Sequence, residues 1–511
     1  MNPEEFLQLV DGLRTPGAYS HPVSGVEVIE THISGVLLAG DYAYKIKKPV
    51  DFGFVDFSTL EKRRHYCEEE LRLNRRFSPD LYLDVVGIHG TRRAPRVGGD
   101  GPAFEYAVRM KRFDQDALLD RCVGNGDLVT ASMIEAFARS VAGVHGDAAT
   151  ATSSDGFGSA ETIVANVREC WDPIRAAGIP EHAGVRRLAA HMDALGGALH
   201  EEFQKRLRAG RVRECHGDLH LGNLYLSDGA IRAFDCIEFN PSLRWIDVAN
   251  EIAFTIMDLR YHGEAGLARR FRNAYLDASG DYAMLRVLIY YEIYRALVRA
   301  KVAALRESEQ AGAGLEDAGS HLELALGLMN TAPRPALIIT CGLSGAGKTH
   351  ASSELISCSE AVRIRSDVER NRNAGGAGNR YSETDIERVY ERLLAEAEEI
   401  MDAGHPVIVD ATFLRRARRG QFRALAERRG VPFRIFHCVA PEAVLRQRIR
   451  RRIVRGADES EADLAVLDRQ LNEMELPGED EKPWVVAYDT ESPPLLGSVM
   501  HALALAVDRS P

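Results

Sequence analysis

The sequence predicts two unlike parts, an α+β region with two lobes followed by an α/β domain built on a parallel sheet. Strand-like segments come first in the chain, and helical periodicity dominates from Ala131 onward. Beyond residue 335, strand-like and helical segments alternate, which is typical of a parallel sheet with helices on both faces. Two prolines within 330–335 interrupt the helical pattern between the parts. We therefore predict domains at residues 1–330 and 336–511.

The composition is that of an ordinary globular protein. The chain has 511 residues, of which 45% are hydrophobic and 27% are charged, so we expect more than one domain. The formal net charge of −11 argues against wholesale electrostatic binding of nucleic acid or of a membrane surface. The eight cysteines form no Cys-x-x-Cys pair, which argues against a zinc site and a disulfide framework. With an acidic first segment and no long apolar run, the sequence predicts a cytoplasmic protein.

The order of local patterns supports the division into two parts. In the first part we expect strands at 35–39 and 42–47, a helix at 61–77, extended chain over 81–112 and strand-sized pieces within 224–234. In the second part the predicted strands are 336–340, 361–365, 406–410, 433–439 and 484–488. The segments between these later strands have helical periodicity, as consecutive βαβ units require.

A dense group of polar residues, here called the HGD loop, occupies 216–223 and reads His-Gly-Asp-Leu-His-Leu-Gly-Asn. Asp218 and Asn223 lie five positions apart, and Asp235 follows at the end of a strand-like segment. The same division of residue types serves phosphoryl transfer in kinases. Asp218 would orient or deprotonate an acceptor hydroxyl, while Asn223 and Asp235 would hold Mg²⁺ between the phosphates of ATP.

A phosphotransfer site also needs a lysine that anchors the phosphates and a carboxylate that holds this lysine. Lys45 and Lys47 end a predicted strand and, by alternation, lie on one face of it. On the following predicted helix, Glu70 has apolar residues at the next and the third positions, which suits an inward side chain. We therefore favour the pair Lys45–Glu70, with Lys47 and Glu69 as substitutes.

The motif His-Gly-Asp-x-x-x-x-Asn and the strand-end aspartate resemble those of the aminoglycoside phosphotransferase family, over residues 30–300. The resemblance implies a two-lobed relative of the protein kinase fold and a kinase that acts on a small molecule with ATP and Mg²⁺. No glycine-rich loop of the protein-kinase type is evident around the first strands. A zinc site at His216 and His220 is a weaker interpretation, because the neighbouring glycines predict a loop and not a helix.

The second part opens with a phosphate-binding loop. Residues 342–349 fit the pattern G-x-x-x-x-G-K-[ST] and lie between a predicted strand and a predicted helix. The backbone N–H groups of such a loop surround phosphate oxygens, and the helix N-terminus adds its positive dipole. Lys348 would reach the β- and γ-phosphates, while Thr349 would ligate Mg²⁺. The predicted nucleotide-binding residues of the loop are Gly342, Ser344, Gly345, Ala346, Gly347, Lys348 and Thr349.

Two acidic residues follow neighbouring strands of the predicted sheet. Asp367 lies just beyond the strand-like segment 361–365, at the edge where parallel sheets bind ligands. There it could accept a proton from an attacking hydroxyl, although a helix N-cap is an alternative role. Arg370 could steady the acceptor or the carboxylate. Asp410 ends the next strand and is predicted to assist Mg²⁺ binding together with Thr349.

Arginine is concentrated in residues 363–455, which contain 21 Arg against 13 acidic residues. Such an excess suits a polyanionic ligand, and a helix that carries Arg448 and Arg452 could close over nucleotide phosphates as a lid. The alternative is that these arginines form a solvated helix face that balances the acidic residues after 455.

The second part resembles P-loop kinases related to polynucleotide 5′-kinases and zeta toxins. The P-loop, the Ser-Asp-x-x-Arg segment, the Val-Ile-Val-Asp-Ala-Thr segment and the arginine-rich helix carry the resemblance. It implies that Asp367 is the general base and that Arg370 and Arg418 contact the acceptor. It also implies that an arginine such as Arg448 or Arg452 clamps ATP.

Together these observations predict a tandem ATP-dependent phosphotransferase with separate hydroxyl acceptors. The arginine excess favours a nucleic acid end or a nucleotide derivative as the second acceptor. One alternative is a single working kinase that is regulated by a non-catalytic nucleotide-binding domain. Another is a nucleotide-gated switch or antitoxin-like binder without enzymatic activity. Asp218 and Asp367 favour the tandem enzyme, because a pure sensor does not need a carboxylate beside each phosphate site.

Overall fold

A computed structural model describes residues 1–53, 55–124, 128–179, 183–309, 312, 314–372, 383–455 and 463–505. The chain forms two compact units, and each is discontinuous in sequence. The first unit consists of Met1–Glu264 and Tyr290–Ala325, whereas the second consists of Ala265–Ile289 and the residues from Leu326 on. The segment 265–289 therefore belongs to the second unit, although it lies within the predicted domain 1–330.

The strands are, in chain order, β1 (Val26–Glu30), β2 (Ser34–Ala39), β3 (Tyr42–Lys47), β4 (Tyr82–Thr91), β5 (Ala94–Val97), β6 (Glu105–Lys111), β7 (Val212–Glu214), β8 (Leu224–Ser227), β9 (Ala230–Ala233), β10 (Trp245–Asp247), β11 (Leu337–Cys341), β12 (Val362–Arg365), β13 (Val407–Asp410), β14 (Phe433–Val439) and β15 (Val485–Asp489).

The helices are, in chain order, α1 (Pro3–Leu13), α2 (Leu60–Asn74), α3 (Leu119–Cys122), α4 (Ala131–Asp147), α5 (Ala160–Arg168), α6 (Trp171–Ala176), α7 (Ala183–Ala198), α8 (His200–Arg208), α9 (Pro241–Arg244), α10 (Val248–Tyr261), α11 (Ala265–Ser279), α12 (Leu285–Glu309), α13 (Leu315–Met329), α14 (Lys348–Cys358), α15 (Ser366–Arg372), α16 (Glu383–Asp402), α17 (Arg416–Arg429), α18 (Glu442–Arg455), α19 (Leu464–Glu473) and α20 (Leu496–Ala502). None of the helices in the described ranges combines the length and the apolar character that a membrane span requires.

The first unit begins with an antiparallel sheet in the order β1-β2-β3-β6-β4-β5. Helix α1 covers one face of this sheet, where its apolar stripe packs against residues such as Tyr44 and Ile46. Helix α2 contributes Cys67 to the core of the opposite face. Because side chains alternate along a strand, Lys45 and Lys47 of β3 lie on this second face, towards α2.

The rest of the first unit is dominated by helices, and α10 lies at its centre. Every residue of α10 from Val248 to Leu259 is buried. A helix that is covered on all sides can place polar side chains deep inside a protein only if each finds a partner. Three of its buried residues are acidic or amide side chains: Asn250, Glu251 and Asp258. The carboxylates of Glu251 and Asp258 bind the HGD loop, as described below.

The second unit contains a parallel sheet in the order β12-β13-β11-β14-β15. Helices α14, α18, α19 and α20 contribute to the core on one face, and α16 and α17 contact the same strands. Each strand begins within one residue of its predicted position. The predicted fold class, a two-lobed α+β region followed by an α/β domain with a parallel sheet, is confirmed. Strand β1 and helix α1 are not among the elements predicted from the sequence.

Helix α11 covers β12, which is an edge strand of the parallel sheet. The side chain of Asn273 accepts the backbone N–H of Arg363 at 2.7 Å. Beside it, Arg269 and Arg272 each donate to one oxygen of Glu360 at 2.8 Å. A sheet edge that is buried must have its backbone donors and its charges satisfied in this way. This packing explains why residues 265–289 belong to the second unit.

We expect the replacement Arg272→Met to loosen this edge of the sheet. It removes a guanidinium group that binds the buried Glu360 carboxylate, which should cost about 3 kcal/mol. Hydrogen exchange of the β12 amides, followed by mass spectrometry, should accelerate by about 30-fold or more. The control is Arg429→Met, because the half-exposed guanidinium of Arg429 forms surface ion pairs that contribute little. Equal exchange rates in the two variants would contradict this account.

Candidate functional site

The HGD loop is held by side chains of α10. Glu251 accepts the backbone N–H of His216 at 2.5 Å and that of Gly217 at 3.0 Å. Seven positions later, Asp258 accepts the backbone N–H of Leu221 at 2.7 Å. These N–H groups take no part in the hydrogen bonds of an α-helix or a strand ladder, so leaving one of them buried and unpaired would destabilise the loop. Helix α10 therefore fixes the loop at both ends.

Asp218 and Asn223, the predicted base and metal ligand of this loop, lie together. The amide of Asn223 donates to the Asp218 carboxylate at 3.0 Å, and His220 Nε2 lies 3.4 Å from it. Burial would raise the pKa of Asp218, but His220, His216 and Arg295 together outweigh burial and the pKa is lowered. The side chain remains 37% exposed. Asp218 is thus an ionised and accessible hydrogen-bond acceptor at neutral pH.

The two histidines of the loop have structural contacts. His216 Nε2 lies 2.9 Å from the carbonyl oxygen of Phe234, and its Nδ1 accepts the backbone N–H of Asp218 at 3.3 Å. The side chain of His220 accepts the backbone N–H of Gly222. In the described part of the chain, neither histidine belongs to a group of three potential metal ligands. The geometry therefore gives no support to a zinc site here.

Asp235 has a strained backbone that its neighbours hold in place. Its φ of 66° lies in the left-handed region, which residues other than glycine seldom adopt. Its backbone N–H donates to the hydroxyl of Tyr82 at 3.0 Å, and the next N–H, of Cys236, donates to Asn74 at 2.9 Å. Such a conformation persists only where the surroundings determine it, and it turns the partly exposed Asp235 carboxylate towards Lys45.

The predicted pair Lys45–Glu70 is present, and the structure adds a second lysine to it. Lys45 Nζ lies 2.9 Å from Glu70 Oε1, while Lys47 Nζ lies 2.8 Å from Glu70 Oε2. Lys45 also bonds to Asp235, and Lys47 also bonds to Glu238. Burial would raise the pKa of Glu70, but the two lysines outweigh burial and lower it to about 2.

The substitute Glu69 lies elsewhere, in a network that joins α2 to the HGD loop. Glu69 accepts two hydrogen bonds from Arg72, at 2.9 and 2.8 Å. The same guanidinium donates to both oxygens of Glu214, the last residue of β7, at 3.0 and 2.8 Å. Arg76, two residues beyond the end of α2, donates to the carbonyl oxygen of Cys215 at 3.0 Å. Helix α2 is therefore fastened both to the lysines and to the strand that leads into the HGD loop.

In the second unit, the P-loop follows the central strand β11. Gly342 has a φ of 145°, and a Cβ there would lie 2.4 Å from the carbonyl oxygen of Cys438. Gly345 has a φ of 83°, and a Cβ there would lie 2.9 Å from the carbonyl oxygen of Leu445. Glycine is thus required at both positions by backbone conformation and by close approach.

Two side chains contact the backbone of this loop. Lys348 Nζ donates to the carbonyl oxygens of Gly342 and Leu343, at 2.9 and 3.0 Å. The backbone N–H of Ser344 donates to the side-chain oxygen of Gln470, a residue of α19, at 2.8 Å. Gln470 thus supplies an oxygen atom where a P-loop amide would otherwise receive a phosphate oxygen.

The P-loop opens into a cavity of about 830 Å³. The predicted site residues that line it are Ser344, Gly345, Gly347, Lys348, Thr349, Asp367, Arg370, Asp410, Arg418, Arg448 and Arg452. Gly342 and Ala346 belong to the same loop but do not line the cavity. The sheet order explains the gathering, since the carboxyl ends of β11, β12 and β13 meet at one edge.

Asp367 and Arg370 form an ion pair on the cavity wall, with Arg370 Nη1 at 2.7 Å from Asp367 Oδ1. Asp367 lies in the first turn of α15 and not before it, so it is not the N-cap of this helix. Arg365 at the end of β12 pairs in register with Asp410 at the end of β13. Asp410 therefore lies at the same edge of the sheet as the start of α15. Asp410 is 5% exposed and lies near the hydroxyl of Ser352.

The cavity arginines are partly neutralised by carboxylates that sequence patterns do not reveal. Arg418 pairs with Glu383 at 3.4 Å, and its guanidinium lies 4.6 Å from the ring centroid of Tyr390. Arg448 donates to the hydroxyl of Thr490 at 2.8 Å and pairs with Glu491 at 2.5 Å. The partners of Arg418 and Arg448 come from helices and loops distant in sequence, so local spacing gives no signal for them.

The pKa of Glu251 provides a test of the support that α10 gives to the HGD loop. Burial raises this pKa to about 7, above the value of an unfolded chain. Folding then favours the protonated carboxyl, so this part of the stability is present at low pH and is lost as the pH rises through about 7. In Glu251→Gln the group does not titrate. We expect this variant to gain stability relative to the natural chain between about pH 5 and about pH 8 in urea unfolding.

The matched control for this experiment is Glu201→Gln on α8, whose carboxylate is 65% exposed. Its stability relative to the natural chain should not depend on pH over the same range. A Glu251→Gln difference that is equally independent of pH would contradict the assigned titration.

Comparisons with known proteins found a matching family and similar solved structures. The AAA domain family matches residues 337–477, the part that contains the P-loop. A choline/ethanolamine kinase family protein from Mesorhizobium loti is 11% identical, with a TM-score of 0.41, and the match covers 63% of this chain and 95% of that one. A gluconokinase from Sinorhizobium meliloti is 22% identical, with a TM-score of 0.26, over 34% of this chain and 91% of that one. The family match covers the part of the chain for which the sequence predicts a P-loop domain.

Relatives of nearly full length also occur. The chain is 30% identical over 459 residues to "Uncharacterized protein Rv2004c" of Mycobacterium tuberculosis and to "Uncharacterized protein Mb2027c" of Mycobacterium bovis. Each alignment covers 87% of this chain and 89% of the relative. The chain belongs to the same family as these mycobacterial proteins.

Proposed function

We propose that the protein is a tandem ATP-dependent phosphotransferase, with an ATP–Mg²⁺ site and a hydroxyl acceptor in each unit. The observation that carries this proposal is the cavity of the second unit. Its walls combine the P-loop Lys348 and Thr349 with the Asp367 carboxylate. A site that only binds nucleotide needs the first two residues, whereas Asp367 provides the base that removes a proton from an attacking hydroxyl.

Nucleotide binding to the second unit requires two exchanges of partners. Lys348 leaves the carbonyl oxygens of Gly342 and Leu343 for the β- and γ-phosphates, which offer a stronger, charge-assisted hydrogen bond. The amide oxygen of Gln470 gives up the N–H of Ser344 to a phosphate oxygen. Both exchanges replace a neutral acceptor by an anionic one, so the loop is ready for phosphate without rebuilding its backbone.

The first unit supports the same chemistry with different residues. Asp218 is the acceptor-side base, and Asn223 presents its side chain beside it. Lys45 would transfer from Asp235 to the phosphates and release that carboxylate to a metal ion. The oxygen ligands Asn223 and Asp235, and likewise Thr349 and Asp410 in the second unit, suit Mg²⁺. When bound, Mg²⁺ would neutralise phosphate charge.

The charge of the second cavity supports an anionic acceptor. Among the described residues that line it, nine are lysine or arginine and four are aspartate or glutamate. ATP with one Mg²⁺ neutralises only part of such an excess. We therefore propose that the second acceptor carries phosphate or another anionic group, as a nucleic acid end or a nucleotide derivative does.

Counting nucleotide sites tests the tandem arrangement. Equilibrium titration with a non-hydrolysable ATP analogue and Mg²⁺ should give two sites on the natural chain. Lys348→Ala should leave one, because the charge that binds the β- and γ-phosphates is lost. Lys45→Met should remove the other, and Lys482→Ala, at an exposed lysine, should change neither. Two remaining sites of unchanged affinity in Lys348→Ala would rule out the assignment of the second site.

Removing the proposed base separates binding from transfer. Transfer of the γ-phosphate from labelled ATP is first screened against RNA and DNA ends, nucleotide derivatives, small alcohols and aminoglycosides. Once the screen has identified the acceptor of the second unit, the variant Asp367→Asn is tested with it. We expect this variant to bind ATP normally but to transfer phosphate more slowly by a factor of about 10²–10⁴. Asp402→Asn, whose carboxylate pairs with Arg429 on the surface, serves as the control. Undiminished transfer by Asp367→Asn would show that another group is the base.

A further inference from the structure

The first unit contains a second buried lysine beside its proposed nucleotide site. The side chain of Lys47 is 1% exposed, compared with 11% for Lys45. Removing an ammonium group from water is costly unless ion pairs compensate for the lost hydration. A kinase site requires one phosphate-anchoring lysine with one carboxylate partner, so Lys47 has no part in the phosphate contacts assigned above.

The contacts of Lys47 are all directed into the protein. Its ammonium bonds to Glu70 at 2.8 Å and to Glu238, and it lies 4.9 Å from the ring centroid of Phe57. An ammonium group has three donor hydrogens, and these two carboxylates and the aromatic ring account for them. Lys45 differs, because one of its partners, Asp235, is 42% exposed. Lys45 can therefore reach a ligand, whereas Lys47 holds other side chains.

Through Glu70, Lys47 controls the position of Lys45. The two oxygens of Glu70 are divided between the two ammonium groups, at 2.9 and 2.8 Å, and Glu70 itself is fully buried. Because Lys47 holds one oxygen, only the other oxygen of Glu70 is available to accept from Lys45. Lys45 thus keeps donors for Asp235 now and for phosphates when nucleotide is bound.

Through Glu238, Lys47 also fastens the segment that carries the proposed metal ligand. Glu238 is 3% exposed and lies three residues after Asp235, whose backbone is in the left-handed region. Between them the N–H of Ile237 donates to the carbonyl oxygen of His216 at 3.0 Å. The ion pair with Lys47 fixes the C-terminal end of this segment at Glu238, and the hydrogen bond to Tyr82 fixes its N-terminal end at Asp235. These contacts on both sides stabilise the strained conformation of Asp235.

The charges of the cluster lead to the same conclusion. In the described structure it contains two lysines and three carboxylates, those of Glu70, Asp235 and Glu238, so its formal charge is −1. Loss of the Lys47 charge would leave three carboxylates around one lysine. Lys45 would then be drawn inward, and the site would repel the phosphates of ATP more strongly.

We propose that Lys47 is a positioning residue of the first nucleotide site, which sets Lys45 through Glu70 and Asp235 through Glu238. This inference rests on the proposed function of that site. It differs from a purely structural role because it requires both nucleotide affinity and the dependence of binding on Mg²⁺ to change when Lys47 is replaced.

The test uses the full chain with Lys348→Ala, so that binding reports on the first unit alone. Lys47→Met is compared with Lys48→Met, because Lys48 is the next residue and, within the described structure, its side chain binds only the exposed Glu30 and a carbonyl oxygen. We expect Lys47→Met to weaken binding of the ATP analogue by at least about tenfold and to raise the Mg²⁺ concentration needed for half-maximal binding. Lys48→Met should change neither quantity.

A second variant keeps the proposal testable if Lys47→Met does not fold. In the double variant Lys47→Met, Glu238→Gln, the formal charges of Lys45, Glu70 and Asp235 again total −1. We still expect binding to require more Mg²⁺, because the ion pair that holds the segment of Asp235 is lost. A folded Lys47 variant with normal affinity and Mg²⁺ dependence, whatever its melting temperature, would overturn the proposal. So would failure of both variants to fold. If instead Lys45→Met leaves analogue binding intact, the proposed site itself is wrong, independently of Lys47.

Discussion

Both candidate sites depend on one constraint: a backbone N–H that is buried outside a helix or strand must find an acceptor. In the HGD loop the acceptors are the carboxylates of Glu251 and Asp258, which lie on the buried helix α10. The segment around Asp235 meets it with Tyr82 and Asn74. In these cases the acceptors belong to the protein, so the irregular chain is fixed before any ligand arrives. The P-loop meets it differently, because its amides face a cavity and one of them borrows an oxygen from Gln470.

This difference in acceptors has a counterpart in charge. In the first unit the cations of the site are already matched by carboxylates of the protein, so the proposed nucleotide binding would exchange partners within a nearly neutral cluster. In the second unit the cavity has more cations than carboxylates among its described lining residues, and the proposed nucleotide would neutralise part of the excess. On this proposal the first site would gain precision from preorganisation, whereas the second would gain affinity for anions from an excess of positive charge. The two units thus differ in how their charges are balanced before any ligand binds.

Sequence patterns predict the parts of these sites that depend on local spacing. The P-loop, the strands of the parallel sheet and the pair Lys45–Glu70 follow from spacing and alternation, and they lie where the spacing predicts. Lys47 is predicted only as a substitute, because alternation places both lysines on one face and cannot tell that Glu70 binds both. Glu251 and Asp258 leave a signal that could have been found: two carboxylates seven positions apart in a mainly apolar helix. Gln470 leaves none, because its contact with Ser344 depends on how distant helices pack.

The division of the chain shows why spacing is not enough at the larger scale. The prolines at 330–335 mark a true break in pattern, yet the edge strand β12 needs Asn273 and the arginines of α11 to satisfy its backbone and the Glu360 carboxylate. Those residues precede the break by about sixty positions. A fragment that begins at 336 would expose this edge, because the N–H of Arg363 and the Glu360 carboxylate would lose their partners on α11. The two proposed activities are therefore better separated by silencing one site in the whole chain than by cutting the chain at its most obvious boundary.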